Sequence, residues 1–322
     1  MINSEDAEAQ RFAALALANC ASAVFNRLAM VEEGVLEPLI LYVREETSDL
    51  IGRQYCAMCL GNLAAEPDNH EEIVKLEAVD ALMILLRTED VESGRYAAFA
   101  VSNLAANANY RQNIVDEGGP EALVALACCE DLNAQRQALA ALRGICISPQ
   151  FRELVVREGI LDPLVLMARS EELDVLREVA SALNCLSSME GNKEEIGDRG
   201  ISTIISMLLS GDSEVERHAT CCVANLMENV DLHVRLLEER GLAPIVTLAL
   251  SVDLNTKGEA TRAIANLAAN VDVQQTLIKE GALQPMVEAL LAEDVNCQRF
   301  AALCLSNLAT TVASQVRVVQ SG

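Results

Sequence analysis

The sequence predicts an all-α solenoid, in which short helical repeats stack along the chain. Three observations carry this prediction. The chain of 322 residues is 51% apolar but only 3% aromatic and has no tryptophan. An asparagine motif returns at a period of about 41 residues. Acidic, glycine and basic residues return in phase with that motif, which is the mark of a repeat architecture.

The composition suits closely packed helices. Most apolar residues are Ala, Leu, Val and Ile, whose small or aliphatic side chains let helices approach one another. Proteins rich in β-sheet use more aromatic and β-branched residues than this chain does. The high apolar fraction also excludes a wholly disordered chain.

The motif is Asn-Leu, or Asn-Cys at its first occurrence, after small apolar residues. We call its asparagines the register asparagines. They are Asn19, Asn62, Asn103, Asn225, Asn266 and Asn307. Two further positions complete the period but lack the asparagine, Gly144 and Cys185. The chain therefore contains eight equivalent positions.

Three further landmarks keep the same phase. An acidic residue stands thirteen positions before each register position: Asp6, Asp49, Asp90, Asp131, Glu172, Asp212, Asp253 and Asp294. A glycine follows about fifteen positions later at Gly34, Gly118, Gly159, Gly200, Gly241, Gly281 and Gly322, with Ala78 as a substitute. A basic residue precedes six of them by eight positions, at Arg11, Arg95, Arg136, Arg177, Arg217 and Arg299. We expect the acidic residues to cap helices and the arginines to pair with nearby acids.

Each repeat is predicted to form three helices. In residues 109–149 a short helix should end at Gly118, because glycine readily takes the left-handed conformation that stops a helix. A second helix should begin near Pro120, and a third should cover residues 134–146, where apolar residues recur every three or four positions.

These features resemble the armadillo repeat. The stretch Gly159 to Val165 and the stretch Ala301 to Ala309 carry its pattern most clearly. The resemblance implies a right-handed α-α superhelix of three-helix repeats. We assign one armadillo solenoid over residues 1–322. Complete repeats are expected at 25–67, 68–108, 109–149, 150–190, 191–230, 231–271 and 272–312. Residues 1–24 would supply only a third helix and 313–322 only the start of a further repeat, so we expect an excerpt of a longer array.

The resemblance also implies a role for the register asparagines. In armadillo proteins such as importin-α and β-catenin, the third helices line a groove in which this asparagine grips the main chain of a partner segment. It implies the same for Asn19, Asn62, Asn103, Asn225, Asn266 and Asn307. Because Gly144 and Cys185 interrupt the series, we expect two separate binding stretches. The other possibility is that the amides satisfy local backbone groups.

Departures from known members limit this interpretation. Importin-α places tryptophan four residues before each asparagine, where this chain has Leu15, Met58, Phe99, Cys221, Arg262 and Leu303. A carrier of basic peptides is therefore disfavoured, and the acidity argues against a basic groove like that of β-catenin. The vacuolar armadillo adaptors are nearest in character. The leading hypothesis is a non-catalytic scaffold or adaptor that binds extended or helical protein segments. The alternative is a structural part of a cytoskeletal or ciliary assembly.

Charge and composition narrow the partners further. The net charge is −24, which disfavours nucleic acid and anionic membrane surfaces. The acidity makes basic protein segments a candidate class. Eleven cysteines without fixed spacing, and acidic residues near the start, predict an intracellular and most plausibly cytoplasmic protein without membrane insertion. The oligomeric state stays open.

We predict no enzyme activity, cofactor or metal. The Cys56–Cys59 pair matches core positions in other repeats, and His218, Cys221 and Cys222 lack a second pair of ligands. Three histidines offer no catalytic triad.

Overall fold

A computed structural model describes Ile2, Ser4 and residues 6–45, 49–310 and 312–320, without the side chains of 312–314. All regular structure in these residues is helical. The chain divides into two compact units, Met1–Pro163 (unit 1) and Leu164–Gly322 (unit 2). Gly322, the last predicted register glycine, lies outside the described residues.

Unit 1 contains four third helices with shorter helices between them. Its helices are α1 (Ala7–Ser22), α2 (Arg27–Glu32), α3 (Leu36–Arg44), α4 (Leu50–Ala64), α5 (His70–Lys75), α6 (Ala78–Leu86), α7 (Val91–Ala106), α8 (Arg111–Asp116), α9 (Gly119–Ala127), α10 (Leu132–Cys146) and α11 (Arg152–Arg157). The short helix α12 (Leu161–Met167) spans the division between the units.

Unit 2 repeats the plan. Its helices are α13 (Leu173–Ser187), α14 (Lys193–Met207), α15 (Ser213–Leu226), α16 (His233–Glu238), α17 (Leu242–Leu248), α18 (Leu254–Ala268), α19 (Val271–Lys279), α20 (Leu283–Leu290), α21 (Val295–Leu308) and α22 (Val312–Gln320). Short 3₁₀ turns precede most first helices, at Val24–Asn26, Pro67–Asn69, Ala108–Tyr110, Pro149–Phe151, Glu190–Asn192 and Val230–Leu232.

The third helices pack side by side within each unit. In unit 1, α1, α4, α7 and α10 contact one another in turn, and in unit 2 the series is α13, α15, α18 and α21. Their facing surfaces are rich in buried alanine, such as Ala57, Ala97 and Ala138, none of which is exposed. Small side chains bring the backbones close. This packing holds neighbouring repeats together and places the register positions in a row.

The predicted acidic caps are confirmed at seven of eight positions. Asp6, Asp49, Asp90, Asp131, Asp212, Asp253 and Asp294 each accept a hydrogen bond from a backbone N–H in the first turn of a third helix. Glu172 stands at the same place before α13 but makes no such bond. These carboxylates satisfy N–H groups that a helix start leaves unpaired.

A second set of side-chain hydrogen bonds, which was not predicted from the sequence, caps the opposite ends of the third helices. The residue eight positions after the register position donates to the carbonyl six residues before itself, at the end of a third helix. The donors are Arg27, His70, Arg111, Arg152, His233, Gln274 and Gln315. The exception is Lys193, which pairs with Glu190 and Glu228 instead. Side-chain bonds therefore hold both ends of most third helices.

One repeat departs from the predicted three helices. In residues 191–230 the first and second helices are one continuous helix, α14. In other repeats a residue with positive φ separates these helices: glycine at Gly34, Gly118, Gly159 and Gly281, but Glu77 and Arg240 elsewhere. Gly200 occupies the corresponding place, fifteen residues after Cys185, and stays helical within α14. The expectation that Gly200 ends a helix was therefore wrong.

Among the described residues, no single helix combines the length and apolar character needed to cross a membrane. One pair bent by 110°, Ala7–Ser22 with Val24–Glu32, meets those two criteria together.

Candidate partner-binding face of the third helices

The register asparagines of unit 1 lie on the outer side of the third helices. Asn19 on α1 is exposed, and Asn62 on α4 and Asn103 on α7 are half-buried. The amide of Asn103 donates to the Phe99 carbonyl of its own helix at 3.0 Å. Within the described residues, the side-chain amides of Asn19 and Asn62 make no hydrogen bond. Two of the three amides therefore keep their full capacity to bind another chain.

Aromatic side chains lie on the same third helices as these amides. Phe12, Tyr55 and Tyr96 stand seven positions before the three register asparagines, one on each successive helix, and Phe99 follows on α7. Phe12 is 59% exposed, and the other three are half-buried. A Cβ at Gly61 would lie 3.1 Å from the Tyr96 carbonyl oxygen and 3.3 Å from the Phe99 ring. The close approach of α4 and α7 therefore brings Phe99 against the neighbouring helix.

The next register position of unit 1 holds Gly144 because space is short. A Cβ there would lie 2.9 Å from the Cβ of Ala105 on α7. Real Cβ atoms do not approach that closely, so α10 packs against α7 without room for a side chain at this position. The asparagine series of unit 1 therefore ends at Asn103 for a packing reason.

In unit 2 the first register asparagine is engaged inside the protein. The Nδ2 of Asn225 donates to the Ser187 hydroxyl at 3.1 Å, and its Oδ1 accepts from Arg262 at 2.7 Å. Arg262 also pairs with Glu228 at 2.7 Å and with Glu259 at 2.7 Å. Glu228 in turn pairs with Lys193, whose side chain is 3% exposed.

The remaining register residues of unit 2 differ from one another. Asn266 donates to the Ala224 carbonyl of the preceding third helix at 3.2 Å. The amide of Asn307 has no hydrogen-bond partner in the part of the chain that the structure describes. Asn184, one residue before Cys185, contacts the ring nitrogen Nδ1 of His218 at 3.2 Å. Only Asn307 therefore resembles Asn62 of unit 1.

The side chains eight positions before the register link successive third helices. Arg11 pairs with Asp49 at 2.8 Å and Arg177 pairs with Asp212 at 2.7 Å, each partner being the cap of the next third helix. The Arg177 guanidinium is the main reason that the pKa of Asp212 falls to about 2. Arg11 and Arg177 therefore form ion pairs within the fold.

The histidines and cysteines fill structural places. His70 and His233 bond to helix-terminal carbonyls, and burial lowers the pKa of His233, which keeps its ring neutral. Burial raises the pKa of the Cys56 thiol, and it raises that of Cys59 to about 12. A thiol that stays protonated is a poor nucleophile and a poor metal ligand. No cluster of three metal-binding side chains occurs among the described residues.

Two functional signals were missed in the sequence. The sequence contains the aromatic residues seven positions before the register, but it does not show that their side chains are exposed, because exposure depends on how α1, α4 and α7 pack. The engagement of Asn225 depends on Arg262, which lies 37 residues away on the next third helix. Periodicity places residues on a helix face, whereas these contacts arise between repeats.

Comparison with known proteins agrees with this architecture. Residues 107–147 and 148–187 match the family described as Armadillo/beta-catenin-like repeat. A search of curated protein sequences found no match. The crystal structure of an engineered protein from a structural genomics consortium is 29% identical, with a TM-score of 0.83 over 100% of this chain and 80% of that one.

Two shorter structures are also similar. A second engineered protein is 29% identical, with a TM-score of 0.66 over 71% of this chain and 96% of its own. A designed armadillo repeat protein in complex with the peptide (KR)4 is 23% identical, with a TM-score of 0.65 over 71% of this chain and 98% of its own. Residues 107–187 therefore contain armadillo repeats, and the chain shares the fold of armadillo-repeat structures.

Proposed function

We propose that this protein is a non-catalytic scaffold that holds segments of other proteins against its third helices. The face formed by α1, α4 and α7 of unit 1, which we call the unit 1 face, makes the main contact. Its aromatic side chains anchor the side chains of the partner. Its register asparagines bind the partner's main chain.

The observation that carries this proposal is the position of the scarce aromatic residues. The chain has four tyrosines and five phenylalanines. Five of these nine lie on third helices, and none of the five is buried: Phe12, Tyr55, Tyr96, Phe99 and Phe300. Four of them are on the unit 1 face. Aromatic residues exposed in a group lose contact with water when a partner covers them, and they dominate the energetics of interfaces.

The amides supply the second half of the interaction. An asparagine side chain both donates and accepts, so it can bond to the N–H and C=O of an extended chain without reading its side chains. Neighbouring helices lie about 10 Å apart and an extended chain rises about 3.3 Å per residue. Asn62 would therefore meet a bound segment about three residues away from Asn19 or Asn103.

The fold is compatible with this use. The designed armadillo repeat protein similar to this chain is in complex with a peptide, (KR)4. At 23% identity that likeness concerns the fold, and the ligand of this chain follows from its own residues. Protein segments are the partner class that the unit 1 face supports best.

The test is affinity capture with the full chain, followed by crosslinking to map where the captured proteins touch. The variant is Tyr55→Ala combined with Asn62→Ala, both half-buried and neither engaged in a hydrogen bond in the described structure. We expect at least a tenfold loss of the captured proteins, because an aromatic anchor contributes about 2 kcal/mol or more to binding. Circular dichroism should show the same helicity as the wild type.

The matched control is Phe25→Ala. Phe25 is an aromatic residue of unit 1 that is 85% exposed but lies in a 3₁₀ turn outside the third helices. This control should leave capture unchanged. Unchanged capture by the double variant would contradict the proposal. Crosslinks confined to first and second helices would favour a structural array held through its other surfaces.

A further inference from the structure

One position of unit 2 lacks the long side chain that the equivalent positions carry: eight residues before the register the chain has arginine or glutamine on every third helix except α18, which has Gly258. On three third helices this side chain donates to the capping aspartate of the next third helix. Arg11 bonds to Asp49, and Arg177 to Asp212, as described above. The amide of Gln54 bonds to Asp90 at 2.9 Å. These contacts define a place for a cationic or amide donor between two successive third helices.

Arg217 and Arg95 act differently. Hydrogen bonds from Thr256 are the main cause that lowers the pKa of Asp253, the cap that follows Arg217, and the positive charge of Arg217 adds to them. Arg95 instead pairs with Glu92 and lies over the Tyr96 ring, 4.4 Å from its centroid. In each case a side chain is present to fill the space.

Gly258 on α18 is the exception, since it has no side chain to offer Asp294. Nothing in the backbone requires glycine here, because Gly258 has ordinary helical geometry. A Cβ added to it would meet only the Cys297 sulfur, at 3.6 Å, which is a normal contact. Asp294 accepts from the backbone N–H of Cys297 but has no cationic partner among the described residues.

A cavity of about 350 Å³ lies where the missing side chain would run. Gly258, Glu259, Asp294, Asn296 and Phe300 line it, together with Arg262. Arg262 does not neutralise Asp294, because its guanidinium is committed to Glu228, Glu259 and Asn225. The rim is open to solvent, since Leu254 and Asn296 are both exposed. The cavity therefore presents the Asp294 carboxylate and one aromatic ring to an incoming group, beside the Glu259–Arg262 ion pair.

We propose that this cavity, the Gly258 cavity, binds an arginine side chain of a partner segment. The guanidinium takes the place that Arg11 and Arg177 fill in their own repeats and pairs with Asp294. Phe300 offers a ring against which a planar guanidinium can stack. This inference rests on the proposed function, because it names one side chain of the segment that the scaffold holds.

The first experiment tests whether the cavity has the shape and charge for arginine. In Gly258→Arg the chain supplies its own guanidinium, and Gly258→Ala controls for the gain in helix propensity. We expect Gly258→Arg to melt about 2 °C above Gly258→Ala. That difference should disappear when Asp294→Asn is added, since asparagine still caps the helix but carries no charge. A lower melting temperature for Gly258→Arg than for Gly258→Ala would overturn the inference.

The second experiment measures binding in the full chain with a defined probe. The probe is a blocked pentapeptide, Gly-Ser-Arg-Ser-Gly, and its control carries neutral citrulline in place of arginine. Amide chemical shifts of Asn296 and Phe300 report on the cavity. We expect the arginine peptide to bind at least tenfold more tightly than the citrulline peptide. Gly258→Arg should abolish the shifts, and Gly258→Ala should change the affinity by less than about twofold.

Equal binding of the two peptides, or shifts that persist in Gly258→Arg, would overturn the inference. Such a result leaves the proposed function intact if partners still crosslink to the unit 1 face. Conversely, the proposed function fails if no partner crosslinks to a third helix, whatever the peptides do at the Gly258 cavity.

Discussion

The third helices of the two units carry the same repeat but present different surfaces. On the unit 1 face, aromatic rings flank asparagines of which two have no hydrogen-bond partner in the described residues. In unit 2, Asn225 is bonded to Ser187 and Arg262, and ion pairs join Arg262 to two glutamates. The unit 1 face therefore keeps two asparagine amides available for a partner, whereas the polar side chains around Asn225 in unit 2 bond to one another.

The register position therefore determines where an asparagine lies on its third helix, but it does not determine which group the amide binds. Asn62 and Asn225 are equivalent in sequence, yet their surroundings decide whether the amide faces another chain or stabilises its own. The neighbour that makes the difference is the residue four positions before the next register asparagine, Phe99 in unit 1 and Arg262 in unit 2. A ring leaves the asparagine unbonded, whereas a guanidinium reaches it.

The largest expected effect compares two helical glycines. Gly144→Ala places a Cβ 2.9 Å from that of Ala105, so α7 and α10 must separate. We expect a loss of about 2 kcal/mol in the free energy of unfolding, because overpacking outweighs the gain in helix propensity. Gly258→Ala makes only a normal contact with the Cys297 sulfur, at 3.6 Å, and should gain about 0.5–1 kcal/mol. Urea denaturation of both variants measures the pair.

The opposite signs are the informative result. If Gly144→Ala stabilises the protein as Gly258→Ala does, then packing does not explain why the asparagine series of unit 1 stops at Asn103. The absence of an asparagine at Gly144 would then need another cause.

The second prediction compares the two equivalent asparagines directly. Asn225→Ala removes a partner of Arg262 and of the Ser187 hydroxyl. We expect a loss of about 1 kcal/mol in the free energy of unfolding, since two hydrogen bonds are lost while Arg262 keeps its glutamate partners and Ser187 keeps its bond to the Asn184 carbonyl. Asn62→Ala removes no described hydrogen bond and should change stability by less than about 0.5 kcal/mol.

Thermal or urea unfolding of the two variants measures the difference between their free energies of unfolding. Equal losses would contradict the division between an engaged asparagine in unit 2 and an available one in unit 1. Asn103→Ala serves as an intermediate case, because its amide bonds only to its own helix.

Much of the fold could be predicted from the sequence. The period of about 41 residues placed the third helices, and the aspartates thirteen positions before the register are helix caps, as expected. Local signals sufficed because capping depends on residues two or three positions apart. The fused helix α14 could not be foreseen, since Gly200 stays helical at the place where Glu77 and Arg240 adopt positive φ.

The site was less accessible to sequence reasoning. The register asparagines were identified, but their tasks depend on contacts across about one repeat, such as that of Asn225 with Arg262. The Gly258 cavity also arises between two repeats. Gly258 leaves a space on α18, and the next third helix supplies the Asp294 carboxylate that faces this space without a cationic partner in the described residues. Whether the register asparagines bind a partner stays a prediction that the double variant on the unit 1 face tests.

The smallest expected effect concerns the link between successive third helices. Arg177→Gln gives unit 2 the neutral donor that unit 1 has at Gln54, which bonds to Asp90. The Arg177 guanidinium lowers the pKa of Asp212 to about 2, below its ordinary value of 3.8. This pair therefore stabilises the fold above about pH 4, where Asp212 is ionised in both folded and unfolded states, and the contribution is lost as the pH falls toward 2. Because Arg177 is 37% exposed and screened by water, we expect Arg177→Gln to lower the stability only slightly near neutral pH. Urea denaturation of the wild type and the variant at several pH values should show a difference that shrinks below about pH 4. A difference that stays constant down to the lowest pH at which both fold would mean that Arg177 acts through packing and not through its charge.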